Sequence, residues 1–381
     1  MKAISLCSDL MKCKSVTPHD DGAISVIDCF LRSCGFETKM LTFVSSDKSN
    51  AVVNLFANFD GRSAEGAPSL GFLGHSDVVP AGDGWDTDPF GAVQNDGYLV
   101  GRGIADMKGG IAAFCSAAAN FVRKRGHDFS GAIKILITGD EEVGSPEGAR
   151  SLINWCCENN QLPMDCIIGE PSSKIMLGDR IYVGHRGSLN VKAKSVGKQG
   201  HVAYPAGYIN SLANVCKFVA NILDYEWKYK DHRFPKTNAE PTLLFTTNYA
   251  ANVVPDLSSV NINVRFGSDY SAEGLKRIFT EIAARFGVEL EFELNGNAYY
   301  CYDQRLVSLL ASAIESITGI SPQFSAAGGT SDGRYMASHC NIIEFGVQDA
   351  TIHQKNEKIK IDDLLNLERI YETFMDKYFF N

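Results

Sequence analysis

Short apolar runs, separated by loops of small and acidic residues, fill the first half of the chain. Ala51 to Phe56, Ser69 to Leu73, Ala132 to Ile137 and Cys166 to Ile168 read as buried strands, because runs of that length bounded by glycine or proline favour strand over helix. Helical spacing lies between and around them, near Ala23 to Cys34, Ile111 to Arg123 and Pro146 to Cys156. Alternation of strand and helix predicts an α/β domain with a mostly parallel central sheet flanked by helices. The pattern changes near Ile181. Gly187-Ser-Leu-Asn-Val-Lys-Ala-Lys-Ser-Val196 alternates apolar and polar positions with period two, as a strand with one face in water does. A helix from about Asn210 to Trp227 follows, then strands at Thr242 to Asn248 and Ser258 to Phe266, a helix from Ala272 to Phe286 and a strand from Val288 to Leu294. That order predicts a compact α+β unit inserted into the first domain. From Asp303 helix and strand resume, with a strand at Asn341 to Phe345 and a closing helix near Leu364 to Met375. The expected partition is a first domain in two pieces, 1–180 and 295–381, around an insert at 181–294.

At 381 residues the chain exceeds what one hydrophobic core usually serves, which agrees with two domains. A formal net charge of -9 argues against nucleic acid or an anionic membrane surface as partner. No run approaches the ~20 apolar residues that span a bilayer, and Met1-Lys-Ala-Ile-Ser-Leu-Cys-Ser8 lacks the apolar core of a signal peptide. A cytoplasmic location is expected. The eleven cysteines are scattered, and several stand in apolar stretches (Cys29, Cys115, Cys166, Cys216), so reduced, buried thiols are expected. Cys156 and Cys157, adjacent on a helix, should point apart.

Chemistry collects where strands end. His75-Ser-Asp77-Val-Val-Pro80 closes the first-domain run Ser69-Leu-Gly-Phe-Leu73, and strand alternation puts His75 and Asp77 on one face. A carboxylate so placed can take the free N–H of a metal-binding imidazole and raise its basicity. Arg102-Gly-Ile-Ala-Asp106-Met-Lys-Gly-Gly110 sets one carboxylate before a small-residue helix. The strand ending at Ile137 runs into Thr138-Gly-Asp-Glu141-Glu142-Val-Gly144, and Cys166-Ile-Ile168 runs into Gly169-Glu170-Pro171. His353, in Asp349-Ala-Thr-Ile-His353, follows the last apolar strand. Each of these alone reads as a solvated loop residue. Together they follow strands or open a helix, and in an open α/β sheet the loops at the carboxyl ends converge on one crevice.

The segments Gly74-His75-Ser-Asp77-Val-Val-Pro80, Gly103-Ile-Ala-Asp106-Met-Lys-Gly109, Asp140-Glu-Glu142, Gly169-Glu170-Pro-Ser172 and Ala350-Thr-Ile-His353 resemble, in order, the motifs of the dinuclear zinc M20 metallopeptidase family. Thr17-Pro-His-Asp20, Gly200-His-Val-Ala-Tyr-Pro205, Gly328-Gly-Thr-Ser-Asp-Gly-Arg334 and the stretch from His353 to Glu357 resemble its branch that hydrolyses the succinyl amide of a diamino dicarboxylic acid. The resemblance covers nearly the whole chain. It implies a catalytic domain with an inserted, ferredoxin-like lid that forms a homodimer, and two Zn2+ per subunit, for which Co2+ can substitute. His75 and Glu170 would hold one ion, His353 and Glu142 the other, and Asp106 would bridge, a donor set suited to borderline metals. Asp77 would orient His75. Glu141, beside ligand Glu142, is the candidate general base, although the pair also fits a helix N-terminus with Ser145-Pro-Glu following.

In this family the histidine matching His201 reaches the active site of the partner subunit, where an oxyanion needs a donor. Arg265 is the first candidate for substrate carboxylates, then Arg334 and Arg186, because the guanidinium fork pairs bidentately. Tyr204, Asn252, Gly329 and Thr330 complete the expected substrate layer. Members of the branch commonly carry paired arginines before Gly-Ser-Leu and paired asparagines before Val/Ile-Pro, where this chain has His185-Arg186 and Ala251-Asn252. Another N-acyl amino acid amidohydrolase or a peptidase of the family uses the same chemistry. A non-catalytic metal-dependent binding protein is the reading from another class, and Glu141 argues against it.

Overall fold

A computed structural model describes residues 2–46, 50–62, 66–144, 147–329 and 331–380. Its contacts divide the chain into two compact units, one comprising Met1–Val183, Cys301–Ser325 and Ser331–Asn381, the other Gly184–Tyr300 and Ala326–Thr330.

The first unit is built on an eight-stranded sheet in the order Glu37–Val44, Ala51–Asp60, Ala132–Thr138, Ser69–His75, Asp165–Ile168, Asn341–Glu344, Arg180–Tyr182, Gln323–Ser325. The third to the sixth of these run parallel to one another. The first two are antiparallel additions at one edge. All of Ala132–Thr138 and Asp165–Ile168 is buried, which is why such strands read as unbroken apolar runs. The helix Gly109–Arg125 packs against the closing helix Ile361–Phe380. Its face of Ala112, Ala113 and Ala117 admits that close approach, and Phe114 stacks on Phe72 with centroids 4.2 Å apart. The helix expected from Pro146 begins at Ala149, while Ser145 and Pro146 lie outside the described residues. The helix Lys2–Lys12 and the strand Glu37–Val44 were not expected.

The second unit is a four-stranded antiparallel sheet in the order Asn238–Thr246, Leu257–Phe266, Gly187–Val196, Glu289–Gly296. Two helices, Ser211–Leu223 and Ala272–Ala284, share its core with Leu189, Val191, Ile262, Val264, Phe218 and Phe279. Placing the first strand between the third and the last gives the ferredoxin-like order. The unit begins at Gly184 and not at 181, and it runs past 294 because Tyr299 and Tyr300 pair with His185 and Gly184, and Gly328 bridges His185. Its edge strand carries Leu243, Leu244 and Phe245 exposed by 60%, 55% and 49%.

No described helix is long and apolar enough to cross a membrane. The cysteines are free, and Cys7, Cys115, Cys156 and Cys166 are buried. Cys29 and Cys216 are exposed, against expectation, because each falls on the outer face of an amphipathic helix whose inner face holds Ile27 and Leu31, or Val215 and Phe218.

Candidate metal centre

Ala132–Thr138, Ser69–His75 and Asp165–Ile168 are neighbours running in one direction, so the segments that follow them start from one edge of the sheet. His75 ends the middle strand and is 1% exposed. Its Nε2 lies 3.1 Å from Asp106 Oδ1 and 3.7 Å from Glu170 Oε1. On the other side of the ring, Nδ1 is 3.0 Å from the main-chain carbonyl of Asp77 and 3.5 Å from its Oδ1. The carbonyl, not the expected carboxylate, is therefore the nearer orienting group. The Asp77 carboxylate accepts instead from the main-chain N–H groups of Glu141 and Glu142, at 3.1 and 3.2 Å. Two successive amides converging on one carboxylate require a turn, and Glu141–Val143 is a 3-10 turn.

His353 Nε2 lies 3.0 Å from Glu142 Oε1 and 3.3 Å from Asp106 Oδ2. Two donor groups result, His75 with Asp106 and Glu170, and Asp106 with Glu142 and His353, each with donor atoms within 4.8 Å of one another. Asp106 serves both, one oxygen to each imidazole. Glycine makes this convergence possible: a Cβ on Gly110 would stand 2.5 Å from the carbonyl oxygen of Gly169, the residue before Glu170.

Burial opposes charge on His75, but hydrogen bonds to Asp106 and Asp77 and the nearby Glu170 raise its pKa well above the usual imidazole value. Hydrogen bonds to Asp106 and Glu142 raise His353 to about 10. Asp106 is lowered: burial acts against ionisation, and the two imidazoles outweigh it. Burial and then neighbouring carboxylates raise Glu141 and Glu170 well above the carboxylate range. Protons here do what cations would do, compensating carboxylates crowded into a region poor in water. With one imidazole and carboxylate oxygens in each group, the residues fit a pair of divalent ions of the zinc type. Glu141 belongs to neither group.

Apart from Arg334, the expected substrate residues belong to the second unit. His201 stands on a two-stranded ribbon, Gly200–His201 against Val253–Val254, and is exposed. Its Nδ1 accepts from Ala203 N at 3.1 Å, its Nε2 is 3.3 Å from Asn252 Nδ2, and the exposed Tyr204 ring is 5.6 Å away. Arg186 donates to Asn238 Oδ1 at 2.8 Å and Arg265 to Asn263 Oδ1 at 3.0 Å. Both arginines are lowered by burial, and Arg186 also by the charge of Arg265, as two guanidinium groups placed near each other would be. Gly329 is exposed, and Thr330 lies outside the described residues. Arg334 is in the first unit, over the Tyr335 ring at 4.7 Å.

Several buried charged residues had no expected role, among them Arg102, Glu357, Lys108 and Asp332. Arg102 and Glu357 pair at 2.7 Å, Lys108 donates to the Cys13 carbonyl at 2.8 Å and is lowered to about 8 by burial, and Asp332 is raised to about 6, burial outweighing Arg334. Each stands inside or at the end of a motif already quoted. The signal was a charge in a glycine-rich or ligand-bearing segment.

Two three-donor groups sharing one carboxylate, with the partly buried Glu141 next to Glu142, define a candidate dinuclear metal centre of the hydrolase type. Residues 71–377 match the model of peptidase family M20/M25/M40, and the chain belongs to that family. It is 36% identical over 379 residues to a succinyl-diaminopimelate desuccinylase of Zymomonas mobilis, covering 98% of each chain. It is 38% identical to one of Beijerinckia indica, covering 99% of each. Among solved structures it resembles an M20 metallo-carboxypeptidase of Sulfolobus solfataricus, with a TM-score of 0.79, 16% identity and 99% of each chain covered. A dinuclear metal-binding M20 peptidase of Bacillus subtilis matches with a TM-score of 0.70 at 14% identity, covering 99% of this chain and 97% of the other. These likenesses support the fold.

Proposed function

We propose that this chain hydrolyses N-succinyl-LL-2,6-diaminopimelate to succinate and LL-2,6-diaminopimelate, a step of lysine and diaminopimelate synthesis. Two relatives of that name, matched end to end at 36% and 38% identity, support the substrate. The chemistry rests on one observation: Glu141 is held beside both donor groups, through Asp77, without joining either.

His75 and Glu170 would hold one zinc ion, His353 and Glu142 the other, and Asp106 both, with cobalt as a substitute. When bound, such ions supply Lewis acidity, lowering the pKa of a water and polarising the amide carbonyl. Glu141 takes the proton of the attacking water and returns it to the leaving amine. Its raised pKa suits a group that must hold that proton between the two transfers. Asp77 fixes the Glu141 and Glu142 amides and, through its carbonyl, the tautomer of His75. Arg186 and Arg265 bind substrate carboxylates, with Tyr204, Asn252, Gly329 and Thr330 around them. His201, whose Nδ1 accepts from Ala203 N and so leaves the ring proton on Nε2, donates from Nε2 to the oxyanion of the partner subunit's site in a homodimer. Free cysteines are in keeping with work in the reducing cytoplasm.

The test assays zinc-loaded protein against succinyl-diaminopimelate, acetylornithine and a panel of dipeptides. Preference for the first by ~10²-fold or more in kcat/KM is expected, since a site built for polar groups rejects analogues lacking them. Preference for either alternative would reassign the substrate and leave the hydrolytic centre standing.

A further inference from the structure

The segment that carries His353 lies in turns between the strands Asn341–Glu344 and Lys358–Lys360. His75 and Glu170 are held differently. The residues beside them join the sheet ladder, Ser76 N to Thr138 O at 2.8 Å and Gly169 N to Leu73 O at 3.0 Å. The His353 segment has one main-chain bond to the loop that ends in Asp106, Gly101 N to Glu357 O at 2.9 Å, and is otherwise fastened to it by side chains. His353 and Asn356 both have positive φ, 59° and 57°. Asn356 and Asp86 bond reciprocally, Asp86 N to Asn356 Oδ1 at 3.0 Å and Asn356 Nδ2 to Asp86 Oδ2 at 2.9 Å.

Glu357 is 0% exposed and receives four donors. Oε2 accepts from Arg102 Nη1 at 2.7 Å and Gly103 N at 3.1 Å, and Oε1 from Ala105 N at 2.8 Å and Asp106 N at 3.3 Å. Arg102 Nη2 in turn reaches the carbonyl oxygens of Ala81 at 3.4 Å and His353 at 3.5 Å. Three segments thus meet on one buried ion pair: the loop after His75, the loop ending in Asp106, and the turn from His353. Glu357 itself belongs to neither donor group. A carboxylate that accepts from three amides of one loop fixes the path of its backbone, and the loop has little other room. A Cβ on Gly103, whose φ is 81°, would stand 2.2 Å from Val78 Cγ1.

We propose that Glu357, with Arg102, is a positioning residue that sets Asp106 against His353 and thereby tightens the Asp106, Glu142 and His353 metal site selectively. The inference rests on the dinuclear reading above. The brace touches two of the three ligands of that site but only one, Asp106, of the His75, Asp106 and Glu170 group. Glu357→Gln keeps the shape and turns one acceptor oxygen into a donor facing N–H groups, so the brace loosens without a cavity.

Metal-free full chain, wild type and Glu357→Gln, is titrated with Co2+ and followed by calorimetry and by the visible absorption of the bound ion. One equivalent should weaken by ~10–100-fold, the range for outer residues that orient ligands, with a change in its spectrum. The other should shift by a smaller factor and keep its spectrum. Arg102→Lys keeps the charge opposite Glu357 but loses the fork to Ala81 and His353. It should show the same ordering with a smaller shift, and it decides the matter if Glu357→Gln does not fold. Equal shifts of both equivalents, or none, overturn the brace. Fewer than two equivalents in the wild type would overturn the dinuclear reading and the brace with it, whereas two in the wild type and unchanged binding in the variants would overturn the brace alone.

Discussion

In the first unit the candidate ligands His75, Asp106, Glu142 and Glu170 are at most 15% exposed, the fifth, His353, is 48% exposed, and the five meet in two groups that share Asp106. In the second unit His201 stands exposed on a ribbon with Tyr204 and Asn252 exposed beside it, and its ring meets Ala203, Tyr204 and Asn252. Burial and mutual charge shift the pKa values of most of the first set, the pattern of a preorganised reaction centre. Exposed polar residues on a short ribbon fit a surface that another molecule completes. The proposed division of labour puts metal and proton chemistry in the first unit and substrate and oxyanion contacts in the second.

The largest expected effect breaks the first side of that comparison. Glu141→Gln should keep both metal equivalents and lose at least ~10²-fold in turnover, the scale of a missing general base. Metal analysis beside kinetics reads both, and near-normal turnover would make Glu141 structural.

Arg265→Met tests the other side. Loss of a charged hydrogen bond to substrate should raise KM by roughly 10–100-fold while both metals stay bound. A fall in metal content instead would contradict the division between the units.

Metal binding should also carry a proton signature. Without metal, His75 is raised well above the usual value and His353 to about 10, so both hold protons at neutral pH that must leave before either ring can ligate. Binding should release protons, and apparent affinity should fall as pH falls. Calorimetry in two buffers of different ionisation enthalpy counts the protons, and zero release would contradict the geometry. The raised His353 has a second consequence for metal-free protein. The stability it contributes is full below the free imidazole value of about 6.5 and is lost as pH rises through about 10.

The smallest effect on stability is expected on the exposed edge of the second unit. Leu244→Arg should change the unfolding free energy by no more than ~0.5 kcal/mol, yet convert a dimer to monomer in sedimentation if that strand edge is the self-pairing surface.

Much of this was legible because burial leaves a mark on composition. Ala132–Thr138 is buried along its whole length and reads as an unbroken apolar run, and Gly187–Val196 buries alternate residues and reads as period two. Glu37–Val44 has no residue fully buried, so Glu37-Thr-Lys-Met carried no strand signal. The ligands were found because each follows an apolar strand or opens a helix. The role of Asp77 was read in part: one carboxylate gathering two amides of a turn 64 and 65 residues away is a tertiary fact with no local pattern. Glu357 was missed for the same reason, its four donors lying more than 250 residues earlier in the chain.

The central claim is that one unit's metal centre works with another subunit's His201. It is tested most directly by mixing a His201→Ala chain with a Glu141→Ala chain, each nearly inactive alone. Heterodimers contain one site with both residues intact, and measurable succinyl-diaminopimelate hydrolysis should return as they form. No return of activity, with heterodimers demonstrated by mass, would contradict the claim and confine His201 to its own subunit or to no role.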